Sequence, residues 1–236
     1  MLDETFYIDG VDARSVGIYL QKPIVFSGAV PIIEEQTIPG RNGTLVFETG
    51  SYENRSGNAS CFCLQENVDL AISSVGRFLM SKKGYRRLET SDDPNHYWMA
   101  FVKNSPQIEM RLRVVAPFEI EFDCKPQRFI KTGESAVTLT ESGSIFNQYG
   151  QVALPLIKIY GSGSGSLTVG SCVVDIKELN DVLFLDSDTQ NAYNNNGNQN
   201  MSINAPTFPT LPDGDTQIAF SGGIERVEIV PRWWEL

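Results

Sequence analysis

His96 is the only histidine in the 236 residues. General acid–base catalysis and Ser-His-Asp triads need a group that titrates near neutrality, so either would have to run through His96. It sits in DDPNHYW, beside a turn, where a strand-edge histidine is the simpler reading. Asp186 and Asp188, in LDSDTQNAY, are spaced like calcium ligands. The further ligands, the glycine at the sixth position and the closing Glu of an EF-hand loop do not follow them. Asp213 and Asp215, in LPDGDTQ, read as turn residues. The 29 acidic residues offer many carboxylate pairs, and no spacing singles one out for glycoside hydrolysis. The GSGSGS stretch at 161–166 lacks the Lys-Ser/Thr ending of a phosphate loop, and no dinucleotide fingerprint follows a strand. Cys61 and Cys63 point to one face if they lie on a strand; with Cys124 and Cys172 they read as small buried hydrophobes, not as a disulfide framework or zinc site. No catalytic, cofactor-binding or metal-ligating residue is assigned, and no enzyme is expected. Trp233 and Trp234, in PRWWEL, can stack on a sugar, close a core or anchor an interface. Strand alternation sends them to opposite faces, so core closure is expected for at least one. Together with Tyr193 they form the candidate platform of an alternative reading, a carbohydrate-binding module on the C-terminal half.

The elements that would position these residues are mostly strands. Twenty Gly and twelve Pro in a chain that is 41% hydrophobic suit many short strands and turns. The net charge of −10 argues against nucleic acid as a partner, which demands a basic surface, and against anionic membrane. The start, MLDETFYIDG, has no apolar core with a cleavage site, and no run approaches the ~20 residues of a membrane helix; folding in a cytosol is expected. TFYIDG predicts a strand into an Asp-Gly turn, and VGIYL a second strand. AVPIIEEQTIP and TLVFETG flank PGRNG, dense turn chemistry at 39–43. ASCFCL predicts another strand. Val68, Ala71, Ile72, Val75, Phe78 and Leu79 recur at helical spacing and predict one core helix over about 68–82, with Asn67 as cap and Lys82, Lys83 and Gly84 at its end. YRRLET and HYWMAFVK flank SDDPN and predict a β-hairpin over about 85–103. From Ile108 to Cys124 the chain alternates almost continuously, Met110, Leu112 and Val114 included, with Pro117 expected to mark a break or an edge.

Composition changes after residue 127, and the boundary is expected near 130–150, so that residues 1–130 form one domain and 131–236 a second. In the second, LPLIKIYG, GSLTVGS, CVVDI, DVLFLD, QNMSINA, TQIAFSG and RVEIVPRWW predict seven short strands, a β-sandwich pattern. GSGSGS is read as the tip of a hairpin rather than a linker, because strands begin on both sides of it.

FYIDGVDARSVGIYLQKP, IPGRNGTLVFETGSYENR, FDCKPQRF, LPLIKIYGSGSGSLTV, LDSDTQNAY and FPTLPDGDTQIAFSGGIERVEIVPRWWEL occur in that order. The series resembles the distal tail protein (Dit) family of long-tailed phages and prophages of Gram-positive bacteria. The Phe-Pro-x-Leu-x-x-Gly-Asp-x-x-Ile pattern at 208–218 is its most specific part. The resemblance implies a mainly β fold: an N-terminal β-rich domain with one α-helix and a β-hairpin, then a galectin-like β-sandwich. It implies a virion component, assembled in the host cytoplasm, that forms a ring, a hexamer, at the tail tip. Its partners would be other copies of itself, the tail-tube protein, a tail-associated lysin or fibre protein and, in some phages, receptor-binding proteins. No cofactor is implied. A galectin's sugar-binding constellation does not carry over, because residues 131–236 contain no histidine. For such a ring, segment 30–48 and hairpin 85–103 are the expected subunit contacts, with Ile33, Arg41, Leu45, Arg86, Arg87, Tyr97 and Met99 as candidate interface residues.

Overall fold

A computed structural model describes residues 4–64, 68–104 and 115–236. The chain divides into two compact units, one reaching Arg128 and one spanning Phe129–Glu235.

In the first unit, Asp9 and Gly10 both have positive φ (51° and 78°), the geometry of the predicted Asp-Gly turn. They join β1 (Phe6–Ile8) to β2 (Val11–Asp12). Then follow β3 (Ile18–Leu20), β4 (Val25–Phe26), β5 (Pro31–Thr37), β6 (Thr44–Tyr52), β7 (Arg55–Leu64), α1 (Val68–Met80), β8 (Arg86–Thr90), β9 (His96–Val102) and β10 (Val115–Ile130). The main sheet runs β2-β1-β8-β9-β10-β7-β3, with β4 also on β7; β5 and β6 pair only with each other. Alternation puts Phe6, Ile8, Leu88, Trp98, Ile120 and Phe122 on the inner face, where α1 covers them with Val75, Phe78 and Leu79. Each such side chain, fully buried, contributes roughly 1.5–3 kcal/mol. Phe26 stacks on Trp98 with ring centroids 4.1 Å apart.

The helix and the 85–103 hairpin match expectation, with two differences of detail. Ile72 lies on the same stripe as Leu79 but is 47% exposed, whereas Val75, Phe78 and Leu79 are buried against the sheet. Pro117 does not break its strand: β10 continues through it, opposite Phe62. The expected cap Asn67 and the positions Met110, Leu112 and Val114 lie outside the described residues.

The second unit contains β11 (Val137–Leu139), β12 (Gly143–Asn147), β13 (Leu156–Val169), β14 (Cys172–Asp186), β15 (Asn191–Asn194), β16 (Gly197–Asn198), β17 (Ile203–Asn204), β18 (Gly214–Val230) and β19 (Trp234–Glu235). Three pairs of the short strands expected from the pattern are in fact three long strands, β13, β14 and β18. Leu156–Tyr160 lies between 182–186 and 226–230, while Gly165–Val169 lies between 172–176 and 218–222, with register shifts between the two blocks. One sheet is thereby folded over on itself, and its inward residues, among them Ile157, Ile159, Leu167, Val174, Leu185 and Val227, enclose a single core. GSGSGS is the bend within β13, with residues 162–164 exposed, not a hairpin tip; the tip is at Gly170-Ser171. The two backbones approach so closely that a Cβ on Gly223 would stand 1.7 Å from the Ser162 carbonyl oxygen, and one on Gly161 2.0 Å from that of Gly223. Only glycine on both strands allows the contact.

Candidate assembly interface

The residues that could have carried chemistry hold the fold instead. His96 Nδ1 meets Asp93 Oδ1 at 2.6 Å, and Arg128 donates to the same carboxylate. Burial raises the Asp93 pKa, but the His96 and Arg128 hydrogen bonds outweigh it and leave the carboxyl below its ordinary value. The Asp186 carboxylate is occupied by Arg232 at 2.6 and 3.1 Å and by the Asp188 backbone N–H at 3.1 Å. Asp213 accepts from the Gly150 N–H, and Asp215 from the Gln217 side chain. Among the described residues no group of three or more His, Cys, Asp or Glu side chains could hold a metal. Burial pushes the Cys61 and Cys124 thiols up to about 12.

The candidate sugar platform does not assemble. Trp233 is 9% exposed, in the core, near Tyr149; its backbone N is 2.3 Å from where a Cβ on Gly133 would be. It closes the sandwich and offers no face to a ligand. Trp234 is half-buried and donates its Nε1–H to the Val152 carbonyl. Tyr193 lies flat against Phe184, 5.0 Å between centroids and 6° between planes, which covers one face of its ring.

Among the described residues, the strands of hairpin β5–β6 pair with each other alone and contribute no side chain to either core cluster. From Pro31 to Ser51 every residue is exposed except Leu45, which is half-buried. Gly40 and Gly43, both at positive φ, shape the PGRNG turn, and Arg41 N–H bonds back to the Ile38 carbonyl. The register pairs Ile33 with Glu48 and Glu35 with Val46 on one face, and Glu34 with Phe47 and Gln36 with Leu45 on the other. Apolar side chains therefore stand on both faces: Ile33 is 44% exposed, Val46 55% and Phe47 51%. A lone two-stranded hairpin is marginal in water, and a projecting one with two apolar faces marks a contact surface. We call it the arm.

The remaining interface candidates fall in two other places. Arg87, Tyr97 and Met99 share the outer face of the main sheet: Arg87 lies opposite Met99, its guanidinium 3.9 Å from the Tyr97 ring centroid and its Nε 2.6 Å from Glu89. Arg86 faces the other way. Its Nε donates to Asp9 at 3.0 Å and its Nη1 to the Phe78 carbonyl at 2.8 Å, capping the end of α1. Arg86 thus ties helix to sheet. Sequence spacing alone placed it with its neighbour Arg87; the alternation of β8 separates them.

Residues 11–124 match the family model described as phage tail protein RIFT-related domain. A solved structure with a similar fold is SPP1 Dit (gp 19.1), described as a paradigm of hub adsorption apparatus in Gram-positive infecting phages. It matches with a TM-score of 0.73 and 17% identity over 96% of this chain and 98% of that one, a likeness of fold. No curated protein matches the chain. No helix among the described residues is long and apolar enough to cross a membrane. Residues 11–124, the arm included, thus carry the phage tail protein RIFT-related domain, and nearly the whole chain shares the fold of SPP1 Dit.

Proposed function

We propose that this chain is a ring-forming structural subunit of the tail tip. Copies close into a ring, a hexamer, that joins the last ring of the tail tube to the tail-associated lysin or fibre protein and can carry receptor-binding proteins. The observation that carries this reading is the arm, which has apolar residues on both faces and is exposed in the single chain. Head-to-tail contacts between unlike surfaces of one subunit generate rings where the rotation between neighbours closes, and an arm reaching out of one subunit is a means to make them. The hub description of SPP1 Dit supports the same role. Arg41 at the arm's tip, with Arg87, Tyr97 and Met99 on the outer sheet face, are the polar and aromatic groups proposed to complete the contact. The net charge of −10 keeps copies apart except where such contacts form.

Light scattering coupled to size exclusion, with negative-stain images, tests the reading. Rings, alone or on mixing with tail-tube protein, are the expected result. A strict monomer at high concentration that also ignores tail-tube protein would rule it out.

A further inference from the structure

Beside the end of α1 lies a cleft of about 340 Å³. Its floor is apolar, formed by Ile8, Leu79, Leu88 and Phe122, and half-exposed Met80 and the Phe101 ring flank it. Its charged lining is entirely cationic among the described residues: Lys82, Lys83 and Arg86. Adjacent Asp9 answers only part of this charge, taking hydrogen bonds from Lys82 Nζ at 2.9 Å and Arg86 Nε at 3.0 Å. On a chain of net charge −10 this is a locally positive, apolar site.

The arm has the complementary chemistry. Its face with Ile33 and Val46 also carries Glu35 and Glu48, each carboxylate directly across the strand pair from an apolar side chain. The other face carries Glu34 alone beside Leu45 and Phe47. Two apolar side chains and two carboxylates thus stand on one face of the arm, and an apolar floor with two exposed lysines stands at the cleft. Resting on the reading of the arm as an assembly element, we infer that the occupant of the cleft is the arm of a second copy of this chain, with Ile33 and Val46 over the floor and Glu35 and Glu48 against Lys82 and Lys83. The contact is between unlike surfaces, so it propagates from copy to copy, and a closing rotation between neighbours makes it a ring. Its charge pairs set register and speed of association, and its apolar part supplies the attraction.

A charge-swap cycle tests it. Lys82→Glu with Lys83→Glu also breaks the exposed Lys82–Asp9 pair; it should lower the melting temperature by only a few degrees while weakening assembly tenfold or more, read as the concentration at which oligomers appear in sedimentation velocity. Glu35→Lys with Glu48→Lys should weaken it equally. The quadruple variant should recover assembly to within a few fold of the parent. As a second measurement, Ile33→Cys with Met80→Cys, in a Cys172→Ser background, should give covalent ladders between protomers with a short bis-maleimide. Rings that form normally in the lysine variant, or that show no recovery in the quadruple variant and no cross-link between the two introduced thiols, overturn this docking site while leaving the ring itself standing. A chain that never assembles overturns both. Saturation of the cleft by a small apolar acid, with no effect on assembly, also counts against the second copy as occupant.

Discussion

Asp186, which with Asp188 has the spacing of calcium ligands, serves the fold through Arg232 instead. Arg232 follows β18 at positive φ (60°) and turns the chain toward its end; the carboxylate of Asp186 holds the guanidinium that this turn presents. Burial raises the Asp186 pKa, and the hydrogen bonds and charge of Arg232 outweigh it, so the carboxyl lies below its ordinary value. A depressed folded-state pKa means the pair's stability is fully present above the unfolded carboxyl pKa, about 3.9, and is lost as pH falls through the folded value. Asp186→Asn should therefore cost about 1.5–3 kcal/mol at pH 7. The gap between variant and parent should narrow on acidification towards pH 2. Urea midpoints at the two pH values measure it, and a gap independent of pH would contradict the assignment. The cysteines give a second residue-scale prediction. Cys61, Cys63 and Cys124 are buried and burial raises their pKa values, so a thiol reagent should label at most Cys172 in the native protein and all four in denaturant.

Among the elements, the folded-over strands of the second unit depend on glycine at one place. The alternation of LPLIKIYG and GSLTV predicted strands correctly, but nothing in a period-two pattern tells two strands with a turn from one strand with a bend. The distinction lies in backbone contacts between residues some sixty positions apart, Gly161 and Gly165 against 221–223. Gly223→Ala places its Cβ on a carbonyl oxygen and should cost about 3 kcal/mol or more, the upper range of core overpacking. Gly163→Ala, at φ 84° with open space around its Cβ, should cost only about 1–2 kcal/mol, the left-handed penalty. Thermal melts of the two variants test the contrast; equal losses would mean that backbone freedom, not close approach, is what the stretch supplies. In α1 the helical stripe was legible and its extent of burial was not, because Ile72 and Leu79 share a stripe while only Leu79 is buried.

For the whole molecule, the two hydrophobic clusters share no residue, and neither includes a residue of the arm. Replacing residues 33–48 with a two-residue Asn-Gly turn should therefore leave the melting temperature within a few degrees of the parent. The same variant should fail to assemble, as seen by light scattering. A large fall in melting temperature would place the arm in the fold of its own chain and remove the argument for it as a contact surface. Assembly through the lysine-rimmed cleft should also weaken with added salt, since exposed charge pairs are screened within about 10 Å at 0.1 M.

The sequence by itself determined the element types, the single core helix, the hairpins and the mainly β class, because these follow from local periodicity and turn chemistry. Asp9-Gly10, the Val75–Leu79 stripe and PGRNG each act within a few residues. Only the tertiary structure decided which apolar residues were left over. Trp233 and Phe47 look alike as exposed-or-buried candidates on a pattern; one closes a core and the other is 51% exposed on the arm. Arg86 and Arg87 are adjacent and alike, yet one caps α1 and the other stacks on Tyr97. Burial and partnership are set by residues distant in the chain, so a local pattern can nominate a surface but cannot say whether the chain itself covers it.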